Sequence, residues 1–485
     1  MSPGVPHRRL SSLLALLVLV ASCTGSPSQA PAPAPPASDA TPVDLILANA
    51  IVVTVDDAFR VLSPGSVAID DARIVAVDTP EAIAARYAAR ERIDLDGHVV
   101  LPGLVNAHTH AAMVLYRGLA DDLALMDWLE RYIFPAEART VSPAFVRTGT
   151  ALAAVEMIRS GTTLFADMYY FEEEVAAVTR QAGLRGVLGQ TIIQFPVGDA
   201  ATPAEGLRRA EAFIRQYKDD PLIVPSVAPH ALYTNNEATL LAARDLAVAH
   251  GVPLQIHLAE TEDEVRISRE RHRRRPVGYL DAIGFWAPTT LAAHGVWVNA
   301  AEVALLAARG VGVSHNPESN MKLASGTAPV PGYLAAGVAL GLGTDGAASN
   351  NDLDMFEAMR QAALLHKHAS RDPRVVPARE ALEMATRGGA RALGMDDRLG
   401  SLEVGKLADV IAVRTDRARL TPMYDPVSHL VYASRGDDVV LTVVNGQVLY
   451  RDGVVRTLDE AAVLAAARAA ADEVRAAVDA ARQPQ

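Results

Sequence analysis

Hydrophobic positions follow two different patterns between Val43 and Val455. Near both ends of this region, short apolar runs alternate with turn residues, which is typical of β-strands in a small sheet. Because both sets share this pattern, we predict one β-sandwich domain built from both chain ends, residues 43–100 and 398–455. The runs are Leu45–Ala48, Ala50–Val55, Ser66–Ile69, Arg73–Val77, Gly405–Val413 and Val439–Tyr450.

Between these two sets, apolar runs of strand length alternate with stretches of helical period. Alternation of strand and helix on this scale predicts an α/β fold, a closed parallel (β/α)8 TIM-like barrel over residues 101–397. After Thr457, Ala-, Glu- and Arg-rich sequence predicts a surface helix and tail, residues 456–485. The barrel strand candidates are Leu101–His110, Thr162–Met168, Gly186–Ile193, Leu222–Ala228, Val252–His257, Thr290–His294, Gly310–Ser314 and Val338–Gly343.

The first 42 residues have the pattern of an export signal followed by a tether. Arg8 and Arg9 precede an apolar run, Leu10–Val20, that is too short for a mature transmembrane helix, which predicts a signal peptide over residues 1–22. Val20-Ala-Ser-Cys23 resembles the lipobox of bacterial lipoproteins, in which the cysteine is lipidated. An ordinary signal peptide with an unmodified cysteine is the alternative. Residues 23–42, rich in Pro, Ala, Ser and Thr, predict an extended tether.

We therefore expect an exported lipoprotein that touches the membrane only through its anchor, on the periplasmic or cell-surface side. Cys23 is the single cysteine, so an internal disulfide is excluded. The chain is 50% hydrophobic and carries a formal net charge of -12, which predicts a large globular protein and argues against a nucleic-acid partner. The basic run Arg271–Arg275 is interpreted as a solvated loop or helix end. A homo-oligomer stays open as an alternative to a monomer.

Polar residues follow one barrel strand after another, at the point where each strand ends. Since the carboxyl ends of parallel strands meet at one face of a barrel, these side chains should lie together. Burying so many polar groups is costly unless they bind a metal or a substrate. The residues are His108, His110, His230, His257, Glu260, His294 and Asp345.

His108 and His110 are two residues apart on a predicted strand, so both imidazoles can face one metal ion. The alternative is a pair of histidines that flank a threonine in a polar loop. Three imidazoles and one carboxylate suit Zn²⁺, with Fe²⁺ as the alternative. Such an ion lowers the pKa of water to about 7, so that hydroxide is available at neutral pH.

Glu260, three residues after His257, is placed to move protons at the rim of this pocket. Its alternative role is a carboxylate that stabilises the start of a helix. Asp345 can act as both ligand and base, and His294 can orient the hydroxide or polarise a substrate.

Several motifs together resemble the amidohydrolase superfamily and, within it, the methylthioadenosine and S-adenosylhomocysteine deaminase group. The resemblance extends from about Val43 to Val455, although triazine hydrolases and guanine deaminases share much of it. The motifs are His108-Thr-His110, Pro135-Ala-Glu137, Gly161-Thr-Thr-Leu-Phe-Ala-Asp-Met, Ala228-Pro-His230, His257-Leu-Ala-Glu260, Ser314-His-Asn-Pro-Glu-Ser-Asn-Met-Lys-Leu-Ala-Ser and Gly343-Thr-Asp345-Gly-Ala-Ala-Ser-Asn-Asn.

The resemblance implies a role for each matching residue. The ligands of a single zinc ion match His108, His110, His257 and Asp345. Glu260 matches the residue that protonates a purine ring nitrogen, and His294 matches the one that steers the hydroxide.

The same resemblance implies a substrate-binding set. Glu137 matches a carboxylate that binds ribose hydroxyls, with a helix-end carboxylate after Pro135 as the alternative, and His230 matches another substrate contact. Gln190 is a departure, because some members that accept a homocysteine tail have an arginine there. None of the four lysines ends a barrel strand, so a second, lysine-bridged metal is not expected.

The resemblance thus implies a zinc-dependent hydrolytic deaminase of an adenine nucleoside. The candidate substrates are 5′-methylthioadenosine, S-adenosylhomocysteine, 5′-deoxyadenosine and adenosine. Deamination or dechlorination of another aromatic heterocycle, such as guanine or an aminotriazine, is the alternative. A third hypothesis is an inactive surface binding protein on the same barrel.

Overall fold

A computed structural model of the protein describes residues 40–482. The predicted signal peptide, the lipidation site Cys23 and most of the tether lie outside the described residues. The first described strand begins at Thr41, two residues before the predicted start of the β-sheet domain at Val43. Within the described residues, no helix is long and apolar enough to cross a membrane.

The strands, in chain order, are β1 (Thr41–Val53), β2 (Val61–Asp70), β3 (Arg73–Asp78), β4 (Tyr87–Asp94), β5 (Val99–Pro102), β6 (Leu104–Thr109), β7 (Thr162–Tyr169), β8 (Arg185–Ile192), β9 (Ile223–Pro229), β10 (Leu254–Leu258), β11 (Thr290–His294), β12 (Gly312–His315), β13 (Leu340–Leu342), β14 (Val410–Val413), β15 (Val439–Val444), β16 (Gln447–Arg451) and β17 (Val454–Val455).

The α-helices are α1 (Pro80–Arg86), α2 (Leu125–Trp128), α3 (Phe134–Thr140), α4 (Pro143–Arg159), α5 (Glu172–Ala182), α6 (Pro203–Tyr217), α7 (Glu237–His250), α8 (Glu262–His272), α9 (Pro276–Ala282), α10 (Ala300–Arg309), α11 (Pro317–Lys322), α12 (Val330–Ala335), α13 (Met355–Ser370), α14 (Ala378–Glu383), α15 (Gly389–Ala392), α16 (Pro426–Tyr432) and α17 (Glu460–Arg482). Turns of π-helix cover Leu129–Ile133 and Met384–Gly388, and turns of 3-10 helix cover Ala111–Tyr116, Leu232–Thr234, Ala418–Leu420 and Gly436–Asp438.

Strands β6 to β13 form a parallel sheet in sequence order, which confirms the predicted barrel. Its first and last strands, β6 and β13, pack together. The side-chain amide of Asn106 on β6 donates a hydrogen bond to the hydroxyl of Thr344, just after β13, and accepts one from the backbone N–H of Thr344. The strands are buried along almost their whole length, because helices cover the outside and side chains fill the inside. Barrel closure brings the carboxyl end of every strand to one face.

A nine-stranded mixed sheet lies beside the barrel and is built from β1–β5 and β14–β17. The backbone N–H of Ile74 on β3 donates a hydrogen bond to the carbonyl of Lys406, and the backbone N–H of Gly405 donates one to the carbonyl of Ile74. These bonds bring distant parts of the sheet round a shared apolar core that includes Leu47, Ile69 and Val410. The predicted separate domain built from both chain ends is confirmed.

Three predicted strands in this region were wrong in their limits. Leu45–Ala48 and Ala50–Val55 were predicted as two strands, but most of both lies in the single strand β1, whose pairing with β2 shifts register near Ala50. Leu101–His110 was predicted as one strand but divides at Gly103, so that β5 joins the mixed sheet and β6 starts the barrel. A Cβ at Gly103 would lie 2.1 Å from the Thr163 hydroxyl, so glycine is required where the chain changes sheets.

Arg185 on β8 ties the barrel to the mixed sheet. Its Nε and Nη2 donate to the two carboxylate oxygens of Asp409, at 3.0 Å each, and Nη2 also donates to Asn445 at 3.0 Å. Both charged side chains are almost completely buried, at 2% and 3% exposed. Two parallel charge-assisted bonds make this a strong and directional contact between the two domains.

We expect Arg185→Met to lower the free energy of unfolding by about 3–5 kcal/mol, because it leaves the Asp409 carboxylate buried without its cation. Urea denaturation, followed by circular dichroism, measures the loss. Arg374→Met is the matched control, because the Arg374–Asp372 pair lies on the surface and should contribute little. A loss no larger than that of the control would contradict the role of Arg185.

Candidate metal centre and active site

A cluster of imidazoles and one carboxylate lies at the carboxyl face of the barrel. Asp345 Oδ1 is 3.4 Å from His108 Nε2 and 3.3 Å from His110 Nε2. His257 Nε2 is 3.3 Å from His110 Nε2. Donor atoms of His108, His110 and Asp345 therefore lie within 4.8 Å of one another, as do those of His108, His257 and His294. The four predicted ligands come together from β6, β10 and the end of β13.

Contacts behind the cluster turn its nitrogen atoms inward. The Nδ1 atoms of His110 and His257 each lie 2.7 Å from a backbone carbonyl, that of Met168 and that of His230 respectively. If each Nδ1 carries the proton that this contact requires, each Nε2 lone pair faces the cluster, an arrangement typical of histidine ligands in metalloproteins. Both ring nitrogens of His108 are buried, and neither has a hydrogen-bond partner among residues 40–482.

The electrostatics of the cluster also fit a divalent cation. Burial lowers the pKa of His108 to about 4 and that of His257 well below its usual range, so these imidazoles are neutral at pH 7. Burial would raise the pKa of Asp345, but contact with His108 and the other imidazoles holds it well below its usual value. Zn²⁺ binds neutral imidazoles and ionised carboxylates, and this cluster contains both. A bound ion would also give the buried ring nitrogen atoms of His108 a partner.

Asp345 is fixed from several directions. Its Oδ2 accepts hydrogen bonds from Ser319 at 2.7 Å and Ser349 at 3.0 Å, while its Oδ1 accepts from the backbone N–H of Gly346 at 2.8 Å. Asp345 and His294 both have left-handed backbone conformations, with φ of 63° and 73°. Such strained positions cluster at functional sites, where the surrounding structure enforces them.

Glu260 and His294 face each other beside the cluster. His294 Nε2 is 3.8 Å from Glu260 Oε2 and 4.0 Å from Asp345 Oδ2, and its Nδ1 lies 3.0 Å from Asn320 Oδ1. Burial alone would lower the pKa of His294, but Glu260 and Asp345 raise it above its usual value. Burial raises the pKa of Glu260 to about 7. A carboxyl group with that pKa can both give and take a proton at neutral pH.

A cavity opens over these residues. His110, His257, Glu260, His294 and Asp345 line its floor. Apolar side chains from the segment Leu125–Phe134 line the opposite wall, and a turn of π-helix divides this segment between α2 and α3. Such turns frequently mark functional sites, where they re-aim side chains.

Glu137 lies in α3 at the far end of the cavity. Its carboxylate is buried and accepts a hydrogen bond from the Tyr169 hydroxyl at 2.7 Å. His230, just after β9, lines the same cavity, and its Nδ1 lies 3.0 Å from the Thr234 hydroxyl. Burial lowers the pKa of His230 to about 3, so its imidazole is neutral. The cavity thus has a metal-binding end and a carboxylate end.

Gln190 is placed differently from the other predicted site residues. It is buried in β8, and its Nε2 donates to Asp199 Oδ2 at 2.8 Å and to the Thr191 carbonyl at 3.2 Å. Its side chain does not line the cavity, whereas that of the next residue, Thr191, does. The structure therefore brings together every predicted site residue that it describes except Gln190.

Four residues contribute to the site although the sequence did not indicate a role for them. Ser319, Asn320 and Ser349 lie within motifs recognised there, but only the structure shows that they hold Asp345 and His294. Tyr169 ends β7 and therefore lies at the same barrel face as the ligands. A polar residue at a strand's carboxyl end was the signal that could have revealed it.

Residues 99–449 match the model of the amidohydrolase family. Over 416 residues the chain is 51% identical to a 5-methylthioadenosine/S-adenosylhomocysteine deaminase of Syntrophobacter fumaroxidans, covering 86% of this chain and 95% of that protein. Over 438 residues it is 44% identical to a 5′-deoxyadenosine deaminase of Methanosarcina mazei, covering 90% of this chain and 99% of that protein.

Solved structures agree with these sequence relatives. An adenosine deaminase from Xanthomonas campestris with bound zinc superposes with a TM-score of 0.89 at 41% identity, covering 90% of this chain and all of that one. The zinc complex of an atrazine chlorohydrolase from Arthrobacter aurescens gives a TM-score of 0.82 at 26% identity, over 88% of this chain and all of that one.

Proposed function

The chain belongs to the amidohydrolase family, and from that premise we propose that it is a zinc-dependent hydrolytic deaminase of adenine nucleosides. It replaces the exocyclic amine of the purine with oxygen and releases ammonia. Its substrate is a 5′-methylthioadenosine, S-adenosylhomocysteine, 5′-deoxyadenosine or adenosine type of compound. The observation that carries the proposal is the single cavity with a metal-binding cluster at one end and the buried carboxylate of Glu137 at the other.

His108, His110, His257 and Asp345 would hold one zinc ion, which would make hydroxide available at neutral pH by lowering the pKa of water. Glu260 protonates the ring nitrogen beside the carbon that gains oxygen. His294 lies against both Glu260 and Asp345 and orients the incoming nucleophile. Asp345, a carboxylate, takes the proton of the attacking hydroxide and passes it to the departing amine, so that the amine leaves as ammonia. His230 contacts the substrate from the cavity wall.

Glu137 supports a nucleoside rather than a bare heterocycle. A buried carboxylate with one hydrogen bond from Tyr169 retains capacity to accept bonds from two neighbouring hydroxyl groups. The ribose of a nucleoside offers such a pair of hydroxyls, whereas guanine and aminotriazines do not. The relatives named as nucleoside deaminases are also more similar in sequence to this chain than the atrazine chlorohydrolase is.

The test is ammonia release from a substrate panel, together with the change in ultraviolet absorbance that accompanies purine deamination. The panel contains the four adenine nucleosides, guanine and atrazine, each offered to zinc-loaded protein. Turnover of a nucleoside supports the proposal. Turnover of guanine or atrazine alone would establish the heterocycle alternative, and no turnover by fully loaded protein would favour a binding protein.

Glu137→Gln should raise KM for adenine nucleosides about 10- to 100-fold, since a neutral amide replaces the charged acceptor of the ribose hydroxyls. The turnover number should change much less, because Glu137 does not contact the reacting ring. Inhibition by adenine, which lacks ribose, is the internal control and should be nearly unaffected. An equal loss of affinity for adenine would show that Glu137 does not bind ribose.

The same residue predicts a pH dependence. Burial raises the pKa of Glu137 to about 7, and the bond from Tyr169 offsets this only in part. Because the carboxylate is the better acceptor and its fraction falls below pH 7, KM for nucleosides should rise as the pH is lowered through 7. Steady-state profiles should show this rise in the native enzyme and not in Glu137→Gln.

For localisation we propose export and anchoring through a lipid on Cys23. The support is the charged start, the apolar run Leu10–Val20 and the motif Val20-Ala-Ser-Cys23. Membrane fractionation tests this proposal: Cys23→Ala should move the protein from the membrane to the soluble fraction. Retention of that variant in the membrane would contradict a lipid anchor.

A further inference from the structure

A second recess opens beyond Glu137. It shares Phe134, Glu137 and Tyr170 with the main cavity, whereas Glu260, His294 and the metal-binding residues do not line it. The ribose joins the purine to the 5′ substituent of a nucleoside. A substrate with its amine at the cluster and its ribose at Glu137 therefore directs that substituent into this recess.

The walls of the recess are apolar. They are formed by Phe134, Tyr170, Phe195, Pro196 and Val197. The rings of Phe134 and Phe195 meet edge to face with centroids 5.4 Å apart. Phe195 is 37% exposed, so it forms the rim where the recess meets solvent. Among the residues that the structure describes, no lysine, arginine or histidine lines this space.

The loop that carries Phe195–Val197 is held in place by Asp199. The Asp199 carboxylate accepts hydrogen bonds from the Phe171 backbone and from Gln190, both at 2.8 Å. The backbone of Val197 donates to the carbonyl of Ala200 at 2.9 Å. These hydrogen bonds fix the apolar wall, which reduces the entropic cost of binding.

Polar groups behind this wall are already engaged with one another. Arg209 pairs with Glu173 at 2.6 Å and with Asp199 at 3.2 Å, so its charge is neutralised by two carboxylates. Gln190 donates to Asp199 and to a backbone carbonyl. Neither side chain lines the recess, and Glu137 adds negative charge at its entrance.

From this geometry we infer that the recess selects an uncharged, apolar 5′ substituent, such as an alkylthio group, over a homocysteine tail. This inference rests on the proposed function and narrows its substrate class. An alkyl chain gains by leaving water for the aromatic wall. A carboxylate there loses hydration and finds no cation.

A matched ligand series tests the inference. Adenosine, 5′-methylthioadenosine and 5′-n-butylthioadenosine differ in apolar surface, and S-adenosylhomocysteine has a tail about as long as the butyl compound but with two charges. We expect kcat/KM to rise along the alkyl series, by about fourfold for each methylene that is buried. S-Adenosylhomocysteine should fall about tenfold or more below the butyl compound, because its charges lose water without gaining partners.

Variants at the rim assign the effect to this wall. Phe195→Ala should lower kcat/KM for the butyl compound most and for adenosine least, and Val197→Arg should narrow the gap between the butyl and homocysteine compounds. Tyr424→Ala is the control, because it removes an aromatic ring that is 91% exposed and lies outside both cavities. It should not change the order of substrates.

The two proposals fail in different ways. If no adenine nucleoside is deaminated, the proposed function is wrong. If adenosine is deaminated but S-adenosylhomocysteine equals or exceeds the butyl compound, the nucleoside deaminase stands and the apolar selectivity of the recess is wrong. Equal responses of Phe195→Ala to all four ligands would likewise overturn the inference.

Discussion

Glu260→Gln should lower kcat about 10²- to 10⁴-fold for every nucleoside that the native protein deaminates, the range typical of general acid–base groups. The substitution keeps the shape of the side chain and removes its ability to give up a proton. Burial raises the pKa of Glu260 to about 7, so the native residue can supply a proton at the pH where the enzyme works. A glutamine side chain cannot supply a proton in this way.

A variant two residues away separates proton transfer from general effects of charge. Glu262→Gln changes the same chemical group in the first turn of α8, where Glu262 is exposed and does not line the main cavity. It should retain nearly native kcat. Zinc content and melting temperature should be close to native in both variants. A Glu260→Gln enzyme that carries zinc and keeps kcat within about tenfold would exclude general acid–base catalysis by Glu260.

Removal of zinc with a chelator should abolish deamination, and added zinc should restore it. The physical reason lies in His108, whose two ring nitrogens are buried without hydrogen-bond partners, and in the neutral state that burial imposes on His257. Because the ion binds only the folded cluster, zinc should also stabilise the fold, by about 2.7 kcal/mol when its free concentration is 100 times Kd. Metal analysis, ammonia release and thermal denaturation measure these effects on one sample.

His257→Ala should lose both zinc-dependent deamination and stabilisation by zinc, because it removes one imidazole from the cluster. His368→Ala, at an exposed position near the end of α13, is the matched histidine control and should keep them. Undiminished activity in metal-free protein, or zinc stabilisation that persists in His257→Ala, would contradict the ligand assignment.

The sequence predicted the barrel and most of the site for one physical reason. Apolar runs mark parallel strands, and closure of a barrel brings their carboxyl ends together whatever their distance along the chain. His108, His257 and Asp345 could therefore be grouped without any knowledge of loops. The same reasoning needs no side-chain detail, which is why it identified residues but not their contacts.

The features that could not be predicted from the sequence depend on contacts between segments that are far apart along the chain. Gly103 interrupts a continuous apolar run because Thr163 packs against its backbone, a contact that periodicity does not reveal. Tyr169 at the end of β7 donates a hydrogen bond to Glu137 in α3, and tertiary packing brings these two elements together. Gln190 follows the strand pattern, yet Asp199 binds its side chain and keeps it from the cavity.

The mixed sheet has a consequence for the order of events during synthesis. Val410 on β14 pairs with Pro102 on β5, and Thr109 bonds the carbonyl of Asp345, 236 residues further along the chain. The first contact can form only after Val410 has left the ribosome, and the second only after Asp345 has. We therefore expect folding to finish late in synthesis or after it, since long-range pairings require large loops to close first. Until β14 is available, the edge of β5 that it covers is unpaired, so the yield of soluble protein should fall as the rate of synthesis is raised.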